Sequence, residues 1–227
     1  MFILGIDTSN AYCSVAISSG DEILWAYKDR HQNVQAEKLI SIIEQGLRYL
    51  DIKYQDLDYI GACIGPGSFT GIRIGLAASN GFSVALDKLK TISVSNFETI
   101  NFRIKQQYRG FDHAISVVNA YRNQLYIQVF SKKNISEAGI YDLEDAKKLI
   151  SSLDGIVVIA GSGCEKLYSV TKMPEGDIIL LPRFAYPDAR FICKVAHKKI
   201  IRSENLNHDL SPLYIRAPDA KKPTSII

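Results

Sequence analysis

The sequence of 227 residues lacks any apolar run approaching the roughly 18 residues of a membrane-spanning helix. Its apolar start, residues 1–6, is ended by Asp7 and has neither a basic segment nor a small-residue cleavage site, which predicts a strand and not a signal peptide. No CxxC pair occurs among the four cysteines, Cys13, Cys63, Cys164 and Cys193. We therefore expect a cytoplasmic protein with reduced, mostly buried thiols and no membrane segment.

A strong excess of charge is also missing. The net charge is +3 and the pI about 8.5, too weak and too dispersed to indicate a nucleic-acid surface by itself. The densest basic segments, 197–202 and 221–222, fit a solvated helix face and a frayed tail better than an RNA contact. No two of the four histidines (His31, His113, His197 and His208) are spaced for a zinc or iron site on one helix, so we expect no bound metal.

What the sequence does have is an alternation of strand and helix patterns. Hydrophobic residues make up 47% and charged residues 22%, the balance of a globular protein with a core. The first half predicts an antiparallel three-stranded meander, a helix, a strand, a glycine-rich loop leading into a helix, and a short strand. In chain order, these elements cover residues 3–6, 13–17, 22–27, 36–50, 59–64, 65–86 and 91–94.

The second half repeats this theme more loosely. Strands are predicted at 114–118, 125–130 and 155–160, and helices at 143–153 and 191–201. A repeated order of meander, helices and parallel strands predicts an α/β fold of two duplicated lobes. We place their boundary within 97–112 and divide the chain into residues 1–103 and 104–227. The last helix could pack back on the first lobe.

The first candidate site is the polar turn after the first strand, formed by Asp7, Thr8, Ser9 and Asn10. Backbone N–H groups and hydroxyls in such a turn could bind a phosphate, and Asp7 could hold a metal ion or a water molecule. An Asx-type turn that closes a hairpin explains the same residues, and spacing alone favours that alternative.

The second candidate is a glycine-rich loop between a strand and a helix. It contains Gly65, Pro66, Gly67, Ser68, Phe69, Thr70, Gly71 and Arg73. Its N–H groups could face an anion, but it is not a Walker loop, since no Lys-Ser/Thr pair follows the last glycine. It is not a dinucleotide fingerprint either, because the spacing is GxGxxxG. The loop is therefore weak as a phosphate site.

Small residues recur at helical spacing in the helix after this loop: Gly71, Gly75 and Ser79, with Ala78 beside them. Such a stripe lets another helix approach closely, either in a partner or within the same lobe. The preceding helix carries a second stripe beside its core-facing residues, formed by Gln35, Ile42, Gly46 and Tyr49. Together the two stripes predict a surface that binds a related helix pair.

The glycine-rich loop, residues 65–75, closely resembles the signature of the bacterial TsaB (YeaZ) family. Smaller landmarks match along most of the chain: the opening hairpin at 6–16, a second hairpin at 118–126, Gly161 and Gly163, residues 187–189, and the closing segment 212–216. The resemblance implies the two-lobed fold of actin-like ATPases and sugar kinases (ribonuclease H-like). In the second hairpin Asn119 stands where the family often has Asp, and Gln35 where it often has His. Both departures weaken a case for metal-assisted chemistry.

The resemblance also implies a function. TsaB proteins are relatives of TsaD, which transfers threonylcarbamoyl to the tRNA adenosine next to the anticodon, and they lack its metal-binding histidines. We therefore expect a non-catalytic scaffold that pairs with a TsaD-like subunit through residues 34–50 and 71–86, with a TsaE-like ATPase acting on the pair. We expect a homodimer without the partner, tRNA contact only through the complex, and no cofactor beyond ATP or ADP at the complex interface.

Two enzymes compete with the scaffold. The first is a small ATP-dependent kinase or ATPase of the same fold, which needs acidic residues in both hairpins, whereas Asn119 is not acidic. For the scaffold we expect at most a vestigial nucleotide or phosphate site, formed by Asp7, Thr8, Ser9, Asn119, Gly161 and Gly163. The second is a metallopeptidase, an idea attached to the wider family, for which the metal ligands are missing. The sequence favours the scaffold.

Overall fold

Five strands of the first half form one mixed sheet in the computed structural model. The model describes residues 1–29, 35–120, 122–132, 134–170, 177–184, 186, 188–203 and 208–216. The sheet has the order β3-β2-β1-β4-β5 and contains β1 (Phe2–Asp7), β2 (Cys13–Ser19), β3 (Glu22–Asp29), β4 (Leu57–Gly65) and β5 (Lys90–Ser95). Strands β1 to β3 form the predicted antiparallel meander, and β4 and β5 run parallel to β1.

The second half builds a sheet of the same topology. Its order is β10-β9-β6-β7-β8, with β6 (His113–Asn119), β7 (Leu125–Ser131), β8 (Gly139–Tyr141), β9 (Val157–Ala160) and β10 (Ile178–Leu181). Strand β6 pairs antiparallel with β7 and parallel with β9, as β1 does with β2 and β4. The repeated pairing confirms the predicted α/β fold with duplicated lobes.

Helices cover both faces of each sheet. Helices α1 (Gln35–Tyr49) and α2 (Phe69–Ala85) cover one face of the first sheet, and α6 (Ala189–Arg202) covers the other. Leu4 faces α1 and α2 while Ile3 faces α6, because successive side chains of a strand point to opposite faces. Helices α4 (Leu143–Ser151) and α5 (Cys164–Val170) cover one face of the second sheet, and α3 (Asn96–Gln107) covers the other.

Helix α3 occupies most of the stretch in which the boundary between the lobes is predicted. The boundary is predicted within residues 97–112, and α3 covers Asn96–Gln107. Ser95 and Glu98 form a capping box at its start, and Phe97, Ile100 and Ile104 are fully buried. These three side chains share one helix face against the second sheet. The division after residue 103 therefore falls inside a helix.

Residues 208–216, which include the closing segment 212–216, run from the first lobe to the second. Thr91 donates its hydroxyl to the carbonyl of His208 at 2.7 Å, and the Leu213 N–H donates to the carbonyl of Ile64 at 2.8 Å. Arg216 then donates to the side-chain oxygen of Gln124 in the second lobe. Within the described part of the chain, no helix is long and apolar enough to cross a membrane.

Several predicted positions lie outside the described residues: His31, Tyr121, Pro187 and the tail 221–222. All four cysteines are free and buried. Burial raises the pKa of Cys13 to about 11 and those of Cys164 and Cys193 to about 12, so these thiols stay protonated and unreactive near neutral pH.

Candidate functional site

The first candidate turn begins at the end of β1, where Asp7 is fully buried. Oδ1 of Asp7 accepts hydrogen bonds from the backbone N–H of Ser9 at 2.9 Å and from its hydroxyl at 2.6 Å. Oδ2 accepts one from the Asn10 side chain at 3.1 Å. A carboxylate that bonds the backbone two residues later forms an Asx-type turn, so the geometry matches the hairpin-closing alternative.

Burial raises the pKa of Asp7, although the hydrogen bonds from Ser9 partly offset this effect. A carboxylate that binds a nucleotide-bound Mg²⁺ must turn an oxygen toward the ligand. Both oxygens of Asp7 instead point into their own turn, where neighbouring donors occupy them. In this conformation the carboxylate is closed to an incoming metal ion.

The signature loop, residues 65–71, packs directly on this turn. The Ser68 N–H donates to the carbonyl of Ser9, and the Thr8 hydroxyl donates to the carbonyl of Gly71, both at 2.7 Å. Asn96, at the start of α3, donates to the Ser9 hydroxyl at 2.7 Å and to the carbonyl of Pro66 at 2.8 Å. The loop therefore holds the turn in place and does not form a separate open anion site.

The glycines of the loop are explained by this close packing. A Cβ atom at Gly71 would collide with the carbonyl oxygen of Thr8, and one at Gly75 would lie 2.6 Å from the Thr8 hydroxyl oxygen. Ser79 is fully buried and donates its hydroxyl to the carbonyl of Gly75. The stripe of Gly71, Gly75 and Ser79 thus faces its own lobe, which corrects the prediction that it contacts a partner. Ala78 is half-buried beside it.

The stripe predicted on α1 also turns inward. Ile42 is buried, and a Cβ atom at Gly46 would lie 2.6 Å from Cε3 of Trp25 on β3. Tyr49 is the exception, with 72% of its surface exposed. The Gln35 side chain lies outside the described part of the structure. Of the residues predicted on α1, the structure therefore leaves Tyr49 available to a partner.

A second stripe of α2 points to solvent. We call Arg73, Ala77, Gly81 and Val84 the outer face of α2, since all four are exposed and follow one another at helical spacing. Beyond the neighbouring backbone of its own helix, no described residue comes within 4 Å of a Cβ at Gly81, and Val84 is 83% exposed. The small residues at Gly71 and Gly75 do allow a close approach, but the segment that approaches them is the turn after β1 and not another helix.

The second candidate turn lies at the end of β6. The backbone N–H of Asn119 donates to the Ser162 hydroxyl at 3.0 Å, and its side chain donates to the Ser162 carbonyl at 2.7 Å. Gly161 and Gly163 pack against Val117, and a Cβ at either position would collide with it. The structure thus brings the predicted second-lobe residues together: Asn119 bonds Ser162, which stands between Gly161 and Gly163. An amide stands where metal-nucleotide chemistry would need a carboxylate.

Among the described residues, no group of three or more His, Cys, Asp and Glu side chains is placed to hold a metal ion. The absence of a bound metal stays a prediction.

An exposed aromatic cluster escaped the sequence analysis. Phe69, at the start of α2, stacks on Tyr214 of the closing segment with ring centroids 5.7 Å apart. The Arg73 guanidinium lies 3.7 Å from the Phe69 ring centroid, and its Nε donates to the Tyr214 hydroxyl at 3.0 Å. The rings come from positions far apart in sequence, so no local pattern brings them together.

The sequence is similar to a known protein family and to several proteins with names. The model of the TsaD family, tRNA N6-adenosine threonylcarbamoyltransferase, matches residues 31–160. A tRNA threonylcarbamoyladenosine biosynthesis protein TsaB from Buchnera aphidicola is 23% identical over 94% of this chain and 97% of its own length. A protein of the same name from Bacillus subtilis is 32% identical over 59% of this chain and 57% of its own.

Solved structures agree on the fold. YeaZ from Pseudomonas aeruginosa superposes with a TM-score of 0.77 at 21% identity, covering 94% of this chain and 99% of that one. A ROK hexokinase from Thermus thermophilus superposes with a TM-score of 0.51 at 11% identity, covering 88% and 100%. These likenesses confirm the fold of actin-like ATPases and sugar kinases.

Proposed function

Because the chain belongs to the TsaB (YeaZ) branch of the TsaD family, we propose that it serves threonylcarbamoyladenosine formation in tRNA as a non-catalytic scaffold subunit. The observation that carries the proposal is the closed Asp7 turn. Its carboxylate is fully buried and bonded to Ser9 and Asn10, and the matching position of the second lobe is Asn119. Neither turn offers a carboxylate oxygen for a metal-bound nucleotide.

The partner in this proposal is a TsaD-like catalytic subunit, with a TsaE-like ATPase acting on the pair. The family model spans α1 and α2, so a TsaD-like subunit is expected to carry a comparable helix pair. Two such pairs can meet in a four-helix contact when the facing residues are small or apolar. Without the partner, the same surface would form a two-fold homodimer, the usual outcome for a self-complementary patch.

The residues that could contact the partner differ from those predicted from the sequence. Strands β3, β4 and β5 are parallel, and α1 and α2 connect them in turn, so the two helices run in the same direction. Tyr49 and Val84 therefore lie toward the same end of the pair, and both are exposed. We propose that the docking patch consists of Tyr49, Ala77, Gly81 and Val84. Arg73 begins the outer face of α2 one turn before this patch.

The first test is a reconstituted modification assay. Incubating an unmodified tRNA transcript with a threonylcarbamoyl donor, ATP, a TsaD-like subunit and a TsaE-like ATPase should yield modified nucleoside only when this chain is added. The amount of threonylcarbamoyladenosine is measured by mass spectrometry after nuclease digestion. Full modification without the chain would contradict the scaffold role.

A second expectation separates the scaffold from an ATPase. The purified chain alone should hydrolyse ATP no faster than buffer, because neither turn can hold the metal-bound phosphates. Phosphate release is followed with a coupled assay across a range of Mg²⁺ concentrations. Turnover that rises in proportion to protein and is lost in Asp7→Asn would favour the small ATPase instead.

A further inference from the structure

The cluster of Phe69, Arg73 and Tyr214 lies at the surface, outside the core of the first lobe. Phe69 is 47% exposed and Tyr214 is 44% exposed, although the two rings stack on each other. Single exposed rings are common on protein surfaces, whereas a contiguous exposed aromatic group is a candidate interaction site. An exposed aromatic pair beside a guanidinium can stack a planar ligand and hold a negative charge at the same time.

Arg73 and Arg216 bring positive charge to this surface. Among the described residues, no carboxylate pairs with Arg73, whose contacts are the two aromatic side chains. Two residues beyond Tyr214, Arg216 reaches the second lobe and bonds Gln124. Residues 59–86, 113–136 and 210–216, which meet here, contain no Asp or Glu, and the carboxylate of the adjacent Asp209 accepts hydrogen bonds from Ser211. A polyanion could therefore approach this surface without facing a carboxylate from any of these segments.

We propose that this surface, formed by Phe69, Arg73, Tyr214 and Arg216, binds an unpaired stretch of the tRNA substrate. An unstacked base packs on the exposed aromatic pair, and the arginines contact the neighbouring phosphates. This is the chemistry by which proteins recognise single-stranded RNA, in which every base offers a flat face to an aromatic ring. The inference rests on the proposed function, which supplies the RNA, and it replaces the expectation that tRNA is contacted only through the complex.

A protein partner is the competing occupant. Tyr, Phe and Arg are also frequent in protein interfaces. The structure favours RNA because no carboxylate of the described residues pairs with Arg73, whereas the neighbouring docking patch of Tyr49, Ala77, Gly81 and Val84 carries no charge. A nucleic acid uses both the rings and the charge.

The experiment measures binding of a fluorescein-labelled, unmodified tRNA transcript to the full-length chain by anisotropy, at several salt concentrations. The double variant Phe69→Leu with Tyr214→Leu should bind at least about tenfold more weakly, because the stacking faces are lost. Arg73→Gln should weaken binding and reduce the slope of log affinity against log salt by about one. Unlabelled single-stranded RNA should compete, and a duplex of equal length should compete poorly.

Two matched controls carry the same substitutions elsewhere. Tyr168→Leu removes an exposed tyrosine of the second lobe, and Arg48→Gln removes an exposed arginine of α1. Both should bind tRNA as the wild type does. A melting curve shows whether the leucine variants fold, and Arg73→Gln decides the question if they do not, since its side chain is exposed.

Three results would overturn the proposal. The wild type could fail to bind tRNA at about 100 µM protein in low salt, where even non-specific nucleic-acid binding is detectable. The variants could bind as tightly as the wild type. They could also keep their tRNA affinity and lose the TsaD-like subunit, in which case the surface is a protein contact. None of these results would affect the requirement for the chain in the reconstituted assay, so failure of this inference and failure of the scaffold role are distinguishable.

Discussion

Replacing Gly71 by alanine is expected to destabilise the protein by about 3 kcal/mol or more, a large part of the 5–15 kcal/mol typical of a folded domain. The added Cβ would collide with the carbonyl oxygen of Thr8, which belongs to the backbone of the turn and cannot move aside as a flexible side chain would. The Thr8 hydroxyl also bonds the carbonyl of Gly71, so separating the two segments breaks that bond.

The matched control is the same substitution three turns later in the same helix. Apart from the backbone of the same helix, the described part of the chain has no atom within 4 Å of a Cβ at Gly81, so Gly81→Ala meets no obstacle there. Alanine is a better helix former, and we expect a gain of up to about 1 kcal/mol. Urea denaturation of both variants measures the difference. If Gly71→Ala unfolds at the wild-type urea concentration, the packing of α2 on the β1 turn is not as described.

The second large effect concerns association. Gly81→Arg should leave the fold intact, because the side chain extends into solvent, yet weaken binding to a TsaD-like subunit by about 100-fold or more. A charged side chain in the middle of a helix contact separates the helices and is buried without a partner. Threonylcarbamoyladenosine formation in the reconstituted assay should fall to the level seen without this chain.

Calorimetric titration and a melting curve are needed together for this variant. Arg48→Lys, on the exposed charged side of α1, serves as the control and should bind and function as the wild type does. Unchanged affinity of Gly81→Arg would place the docking surface elsewhere on the chain. The homodimer gives an independent check, since size-exclusion chromatography should show Gly81→Arg as a monomer at concentrations where the wild type is dimeric.

The long elements of the first lobe were predictable because their patterns are local. The β1 to β3 meander shows period-two alternation with turn residues between the strands, and α1 repeats apolar residues at helical spacing. Helix α3 was missed although Phe97, Ile100 and Ile104 have helical spacing, because the polar residues around them resemble a linker. Strands β8 and β10 and helix α5 have three, four and seven residues, too few to show a period.

The sequence predicts which segments form the candidate site, but it does not predict which side of helix α2 faces the lobe. The sequence singled out the Asp7 turn, the signature loop and the stripe of small residues. The contacts that decide their roles join residues about sixty positions apart in the chain. Gly71 faces inward because the Thr8 carbonyl lies against it, whereas Gly81, in the same helix, faces solvent. Helical spacing alone cannot distinguish these two faces.

The measurement that tests the scaffold role most directly is threonylcarbamoyladenosine formation with Asp7→Asn in place of the wild-type chain. Asparagine has nearly the same shape as aspartate and keeps an oxygen acceptor for the Ser9 N–H and hydroxyl, so the fold should be kept. If the chain is a scaffold, product formation should stay within about threefold of the wild type, whereas loss of a catalytic acid or base costs about 100-fold or more. A folded Asp7→Asn chain that binds its partner normally and yields no product would show that Asp7 takes part in the chemistry, and would contradict the scaffold account.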